Sequence, residues 1–445
     1  MSNAKMTQEN QLLSLAEHVL QEAKKLGASA VEVNTSSGEG LSVDVRLSEV
    51  ETLEYHRDQG LGLTVYFGQK KGNASTADMS PQAIKDTVEA ACRIAKYTSE
   101  DEYSGLADTD LMATEFPDLD LYHPWDIQAD KAIELAKSCE QAAQGYSPLI
   151  TNSDGASVSS YRGVSVYANS HGFSGVIKGT RHGISATMVA QEGESMQRDY
   201  WHSTSRLHDL LESPESIGIK ASERAIKRLH GQQVATTKAP ILYMPKMARS
   251  LIGHFTGAIS GGSQYRKASF LLDSVGEKVF PEFVRLHEQP FISQALGSAS
   301  FDSEGVALKD NDLITDGVIQ SYLLGSYSAR KLGLQTTGHA SGVHNLSLES
   351  TGQDFDEMLQ MLGTGLVVSE LIGNSVNGIT GDYSRGASGF WVENGEIQFP
   401  VEEVTIAGNL KDMYQHIVAI GSDIDYQGNT RTGSILIEEM TIAGK

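Results

Sequence analysis

The side chains that could do chemistry in this chain are scattered rather than gathered into a familiar signature. His287-Glu288 is its His-Glu pair. A zinc helix needs a second His about one turn further along the same face. Phe291 and Ile292 hold those places, and Pro290 would break the helix, so His287 is not expected to ligate zinc. His339 and His344 stand in a Gly/Ser-containing segment, residues 337–345. That spacing could offer two imidazoles to one ion, but no Cys, Asp or Glu accompanies them before Glu349, so they read as polar loop histidines. His171, His182 and His202 fall among Gly and Ser on expected strands or turns and call for no ligand role. Cys92 and Cys139 lie on apolar faces of expected helices, as small core residues rather than nucleophiles. Lys227, Arg228 and His230 read as a solvated basic run. Residues 247–255 form a helix pattern that carries Arg249 and His254 on its polar side. There is no G-x-x-x-x-G-K-[ST] phosphate loop, no G-x-G-x-x-G after a strand and no G-x-S-x-G elbow.

The elements that must position these residues alternate between helix and strand. Leu12, Leu15, Ala16, Val19, Ala23 and Leu26 recur at helical spacing. Residues 30–33, 41–45 and 61–67 read as strands, and Gln69 to Gly72 as a hairpin tip leading into a fourth. Ile84, Val88, Ala91 and Ala95 mark a second helix. A similar order follows: a helix over 129–143, strands at Val158, 164–169, 175–178 and 184–190, then a helix over 217–229. Helix, strands and helix thus occur twice before residue 230, which suggests an internal duplication. Beyond the polar stretch 231–238 we expect a strand at 241–244 and a helix at 245–259 with Pro at its start. Residues 260–300 lack periodicity and read as a long functional loop. Strands are expected at 318–324, 366–368 and 434–437, short helices at 355–362 and 410–417, and a hairpin at Asn394-Gly395.

Composition bounds the answer. The chain has 445 residues and a formal net charge of −22, and 40% of its residues are hydrophobic. That is enough apolar material for a sizeable core and too acidic for a general nucleic-acid binder, which needs a basic face. Two cysteines exclude a disulfide framework and suit a reducing compartment. The polar start over residues 1–11 shows no signal-peptide pattern, and no stretch reaches the ~18 apolar residues of a membrane span. A cytoplasmic protein with no membrane contact is the expectation.

Several motifs, in this order, resemble the PmbA (TldE) branch of the TldD/PmbA family, which is classed with metallopeptidases and linked to microcin maturation and DNA gyrase modulation. They are Gly-Leu-Gly-Leu-Thr-Val at 60–65, residues 316–322 followed by 328–333, and Thr337-Gly338 with Asn345 beyond. The most specific are 389–397, then Pro400-Val401 and 405–409. The TldD branch carries a His-Glu-x-x-Gly-His helix whose Glu is the general base of a metal site, and takes a further ligand from a C-terminal Cys. At the matching place this chain has Arg249, Ser250, Leu251, Ile252, Gly253 and His254, and its C-terminal stretch 428–433 contains no Cys. Arg249, Ser250 and His254 are therefore degenerate metal-site positions. One imidazole falls short of the about three protein ligands that a catalytic zinc needs.

The expectation is an α+β fold of antiparallel sheets with covering helices, in two domains, 1–235 and a strand-rich 236–445. The resemblance implies a subunit without a metal site of its own, active on unfolded peptides of microcin or antitoxin type, with zinc in a TldD-like partner. The chain alone would be non-catalytic, as a heterodimer partner or a homodimer. The alternative is a non-enzymatic interaction protein acting on gyrase- or toxin-related partners.

Overall fold

The computed structural model describes residues 7–444; the first six residues of the polar start lie outside it. The chain opens with α1 (Gln8–Lys25), β1 (Ala30–Arg46), β2 (Glu49–Phe67), β3 (Lys70–Thr76) and α2 (Pro81–Tyr97). After a connector come α3 (Ala129–Gly145), β4 (Ile150–Asn169), β5 (Ser174–Glu192), β6 (Ser195–Ser205) and α4 (Pro214–Lys227). The six strands form one antiparallel sheet in the order β3-β2-β1-β4-β5-β6. Each set of three strands is therefore a mirror of the other in sheet order, and the two meet at β1–β4.

The strands are longer than local pattern predicts. Residues 34–40 are polar or Gly and look like a break between two short strands. In the structure β1 runs straight through them, because β2 and β4 both bond to it in continuous register. Residues 49–60, 150–157 and 179–183 are likewise drawn into β2, β4 and β5. Ladder bonds on both sides satisfy a polar backbone segment that has little strand propensity of its own. Helices cover one face. Leu12, Ala16, Val19 and Ala23 of α1 pack with Val33 and Leu63, while Ala136, Cys139 and Ala143 of α3 pack with Val43, Val158 and Ile217. Cys92 and Cys139 are both buried, and burial pushes the Cys139 thiol up to about 12.

The second half begins with β7 (Thr237–Tyr243), α5 (Pro245–Ala258), α6 (Gly261–Tyr265), β8 (Leu286–Glu288), β9 (Asn311–Thr315) and β10 (Val318–Ile319). It continues with α7 (Ser326–Leu332), β11 (Leu346–Leu348), α8 (Phe355–Leu362), β12 (Gly365–Val376), β13 (Asp382–Glu393) and β14 (Glu396–Asn409). It ends with α9 (Leu410–Gln415), β15 (Ile417–Ile420), β16 (Thr430–Arg431) and β17 (Ile435–Ala443). One sheet has the order β14-β13-β12-β7-β17-β15, and β14 also pairs with β17, so five of its strands close into a ring. Closure removes free edges. A smaller sheet runs β10-β9-β8-β11-β16. Pairing is antiparallel except for β7–β12 and β11–β16. The Asn394-Gly395 hairpin forms as expected, with both residues at positive φ.

α5 lies in the main core. Its Leu251, Ile252 and Phe255 pack with Ile241, Tyr243, Val368, Tyr383 and Tyr414. α8 covers the opposite face through Met358, Leu359 and Leu362 against Leu242 and Val367. Two expectations need correction. Residues 260–300 are not one structureless loop; they contain α6 and β8, too short to show a period. The strand expected at 318–324 stops at Ile319, and the chain then turns so that Leu323 N–H bonds the Ile259 carbonyl.

Arginines join the two halves. Arg206 donates to the carbonyls of Ala295 and Leu296, each at 3.0 Å, and Arg330 reaches Gly105 O at 3.1 Å and Asp108 at 3.0 Å. Arg228 is not solvated as its basic run suggests: it is mostly buried between Asp199 of β6 and Glu370 of β12. Among the described residues no helix is long and apolar enough to cross a membrane.

Gly72 marks where β3 meets α2. A Cβ there would lie 2.3 Å from Ala91 O and 2.4 Å from Ala95 N, both backbone atoms. Gly72→Ala should cost roughly 1–3 kcal/mol through overpacking, read as a lower melting temperature; an unchanged melt would show that α2 moves aside freely.

Candidate functional site

Pro245 starts α5 directly after β7, and the helix buries Ala248, Leu251, Ile252, Phe255 and Ala258. That periodicity leaves Arg249, Ser250 and His254 off the most buried stripe, as the sequence suggests. Their surroundings differ. The Arg249 guanidinium pairs with Asp425 at 2.7 Å, with both side chains about four-fifths buried (19% and 21% exposed). It also presses on Gly428, where a Cβ would stand 2.5 Å from Nη1. Asp425 is itself fixed: its carboxylate accepts from Gln427 N–H at 2.8 Å, and its own N–H bonds Thr432 O. The guanidinium thus fills the space between α5 and the C-terminal stretch that β16 brings up.

Ser250 Oγ donates to Met247 O of its own helix at 2.6 Å. His254 is turned elsewhere, edge-on to Tyr383 with ring centres 6.1 Å apart, and its buried Nε2 has no hydrogen-bond partner. Burial, then the charge of Arg385, holds its imidazole below the usual histidine range. The structure therefore does not bring His254 to Arg249. A cation at the first position, a hydroxyl committed to its own helix at the second and an imidazole aimed at Tyr383 do not make a zinc shell. Among the described residues no group of three or more His, Cys, Asp or Glu is placed to hold one metal ion.

His339 and His344 converge, but on a residue the sequence did not connect to them. Glu288 of β8 is 2% exposed, and the two histidines are 8% and 6% exposed. The Glu288 carboxylate lies 2.6 Å from His339 Nε2 and 3.3 Å from His344 Nδ1, and accepts the His344 backbone N–H. They are not free loop histidines. Asn345 beside them has φ 46 and bonds Gly297 N, Gln289 O and Ser298 Oγ through its side-chain amide. Burial alone would raise the Glu288 pKa, but the hydrogen bonds from His339 and His344 outweigh it and hold the carboxyl at about 2. His287, next along the strand, faces the other way toward Asp312.

Above the Arg249–Asp425 pair, β6, the start of α5 and residues 423–427 enclose a cavity of about 510 Å3, lined by Trp201, His202, Phe355, Ile424 and Tyr426 among others. His202 comes within electrostatic range of both Arg249 and Asp425. Asp425 and Lys246 went unread in the sequence, and His202 was read only as a histidine without a ligand role, because no spacing links β6, α5 and the C-terminal stretch. The run Ile424-Asp425-Tyr426 beside residues 428–433 was the one local hint.

A mirror-ordered six-stranded sheet, a ring of five further strands and a helix, α5, tied by an ion pair to the C-terminal stretch define the protein's α+β class. The chain belongs to the PmbA/TldD family: models described as PmbA/TldA metallopeptidase domain 1, central domain and C-terminal domain match residues 31–95, 122–229 and 236–444. It is 49% identical over 418 residues to the "Metalloprotease PmbA" of Escherichia coli O157:H7, covering 94% of this chain and 93% of that one. It is 47% identical over 439 residues to a "Metalloprotease PmbA homolog" of Haemophilus influenzae, covering 98% and 97%. A solved Bacteroides thetaiotaomicron protein, a candidate modulator of DNA gyrase, is 28% identical with TM-score 0.93 over 99% of this chain and all of that one. TldE of Thermococcus kodakarensis, 20% identical with TM-score 0.84 over 97% and 100%, shares the fold.

The Glu288 cluster generates a pH prediction. A carboxyl lowered from 4.5 to about 2 in the folded state contributes stability that is complete above pH 4.5 and is lost as pH falls toward 2. Glu288→Gln should therefore cost roughly 3–5 kcal/mol at neutral pH, as expected for breaking a buried charged network. In denaturant titrations its deficit against the unmodified chain should shrink between pH 4.5 and 2; a gap constant with pH would show that the charge is not what matters.

Proposed function

We propose that this chain is the non-catalytic PmbA/TldE-type subunit of a cytoplasmic peptidase complex that processes unfolded peptides, with the metal held by a TldD-type partner. The observation that carries this reading is the Arg249–Asp425 pair. A positive charge occupies the site-facing side of α5, so the fold keeps its local charge balance without an ion. The guanidinium takes the carboxylate in a charge-assisted bond, which needs neither a base nor a bound water. In this role the chain's residues shape a chamber wall and hold peptide, while bond cleavage belongs to the partner.

The names of the curated relatives support the peptidase setting. The gyrase description of the Bacteroides protein points to a different setting, but a net charge of −22 opposes direct DNA contact. The natural substrate class we favour is extended peptide, since a folded domain is far wider than the ~4.8 Å spacing of one added strand.

The test is reconstitution. Co-expressed with its TldD-type partner, the chain should co-purify and the pair should cleave unstructured peptides, while this chain alone should not. Cleavage by this chain alone, or cleavage by the partner unaffected by its presence, would overturn the proposal.

A second prediction concerns α5. Arg249→His with Ser250→Glu would recreate His-Glu-x-x-Gly-His around His254. We expect weak zinc uptake and no peptidase activity from the doubly substituted chain, because an incomplete ligand set holds the ion poorly. Elemental analysis and a peptide assay read the result; robust cleavage would mean that a further ligand is already in place. Asp425, left without Arg249, should also lower the melting temperature.

A further inference from the structure

The cavity above the ion pair continues into a second one of about 430 Å3; Tyr200, Arg224, Lys246 and Ser369 line both. The two ends differ in chemistry. The first is walled by Tyr200, Trp201, Met244, Phe355, Ile424 and Tyr426. In the second the cations are neutralised. Arg198 pairs with Asp154 at 2.9 Å, Arg224 with Asp199 at 3.1 Å, and Arg228 with Asp199 and Glu370.

Lys246 is the exception at the junction. Among the described residues no carboxylate lies within 4.0 Å of its ammonium, which sits 3.7 Å from the centre of the Tyr200 ring. Asp199, Asp425 and Glu370 act on it from further off, and Arg249 opposes them. Burial lowers its pKa below the ordinary lysine value, with Arg249 adding to the effect. An aromatic face stabilises a cation only weakly compared with a bonded anion. A half-buried ammonium in this position lacks the partner that the neighbouring arginines have. Beside it, β6 is the last strand of its sheet, with β5 as its strand neighbour. Its residues 198–202 line the trough. The Arg198 carbonyl already accepts from Arg228 and the Tyr200 N–H already bonds Asp199, so the edge offers an extended backbone the Tyr200 carbonyl and the backbone of His202.

We propose that this trough binds an extended peptide, with a carboxylate at Lys246 and the adjacent bulky apolar side chain in the cavity between Trp201, Phe355 and Tyr426. The inference rests on the reading of this chain as a peptide-handling subunit and adds what the handled peptide must carry. The strand edge favours a peptide over a detached small acid, because it supplies backbone bonds along the trough that a small acid would leave unused. The carboxylate has two sources, a chain terminus or an Asp or Glu side chain. The two share the chemistry that Lys246 reads.

The test uses the full chain alone and fluorescence anisotropy with amino-terminally labelled hexapeptides. One peptide ends in Phe as the free acid, a second is its amide, and a third is an amide with Asp before the Phe. A fourth is the free acid with Ala in place of Phe. The free acid, the Asp-bearing amide or both should bind about tenfold more tightly than the plain amide, a ratio typical of one charge-assisted bond; which of them does identifies the source. Replacing Phe with Ala should weaken binding by a similar factor. Lys246→Gln should abolish the preference for the acid, and Lys246→Arg should keep it. Binding by all four peptides alike, or by none at millimolar concentration, would overturn the proposal. The comparison of acid with amide on the unmodified chain decides even if Lys246→Gln folds poorly. Because binding is read on this chain alone, its failure is separable from failure of the reconstituted cleavage assay.

Discussion

The pairing of β1 with β4, from Glu32 opposite Asn169 to Val45 opposite Ala156, is the constraint on which the first half depends. It makes one sheet of two helix-strand-helix halves. Without it, β1 and β4 would each present a long row of unpaired backbone groups, and polar segments such as 34–40 would have no reason to stay extended. With it, α1 and α3 lie over the seam, and the free edges move outward to β3 and β6. β6 in turn forms a wall of the cleft.

The second half solves the edge problem differently. β14 meets β17, and the ring closes around apolar side chains that include one face of α5. The helix is thus held from within, and whatever stands on its other side is held in place too. The small sheet then acts as a bracket. Through β8 and β11 it carries Glu288 and the segment with His339 and His344. Through β16 it brings residues 425–431 against Arg249. One bracket therefore supports both buried charge clusters. A buried ion pair adds little net stability once desolvation is counted. Its effect is to set the distance between α5 and the C-terminal stretch, and that distance defines the floor of the cavity.

The helices were legible from residue spacing because a helix satisfies its backbone locally. α8 spans residues 355–362 as the spacing indicates, and α5 begins at Pro245. The hairpin at Asn394-Gly395 was legible because positive φ needs those residue types. Strand lengths were not legible, since β1 and β4 hold polar segments extended only through neighbours far along the chain. Arg228 looked solvated because Asp199 and Glu370, which bury it, lie on β6 and β12. The same reasoning applies to the clusters. The spacing of His339 and His344 was visible, and Glu288, some fifty residues earlier, was not connected to it until β8 paired with β11.

By itself, then, the sequence determined the α+β class, the family resemblance and the presence of Arg and Ser at 249 and 250, because these depend on local periodicity and on the identity of single side chains. Tertiary structure decided what those residues do. It decided that Arg249 meets Asp425, that His254 turns to Tyr383, and that Lys246 is left over an aromatic ring between two cavities. Each depends on where strands remote in sequence come to lie. Charge pairing acts across space, and no spacing along the chain encodes which carboxylate will arrive.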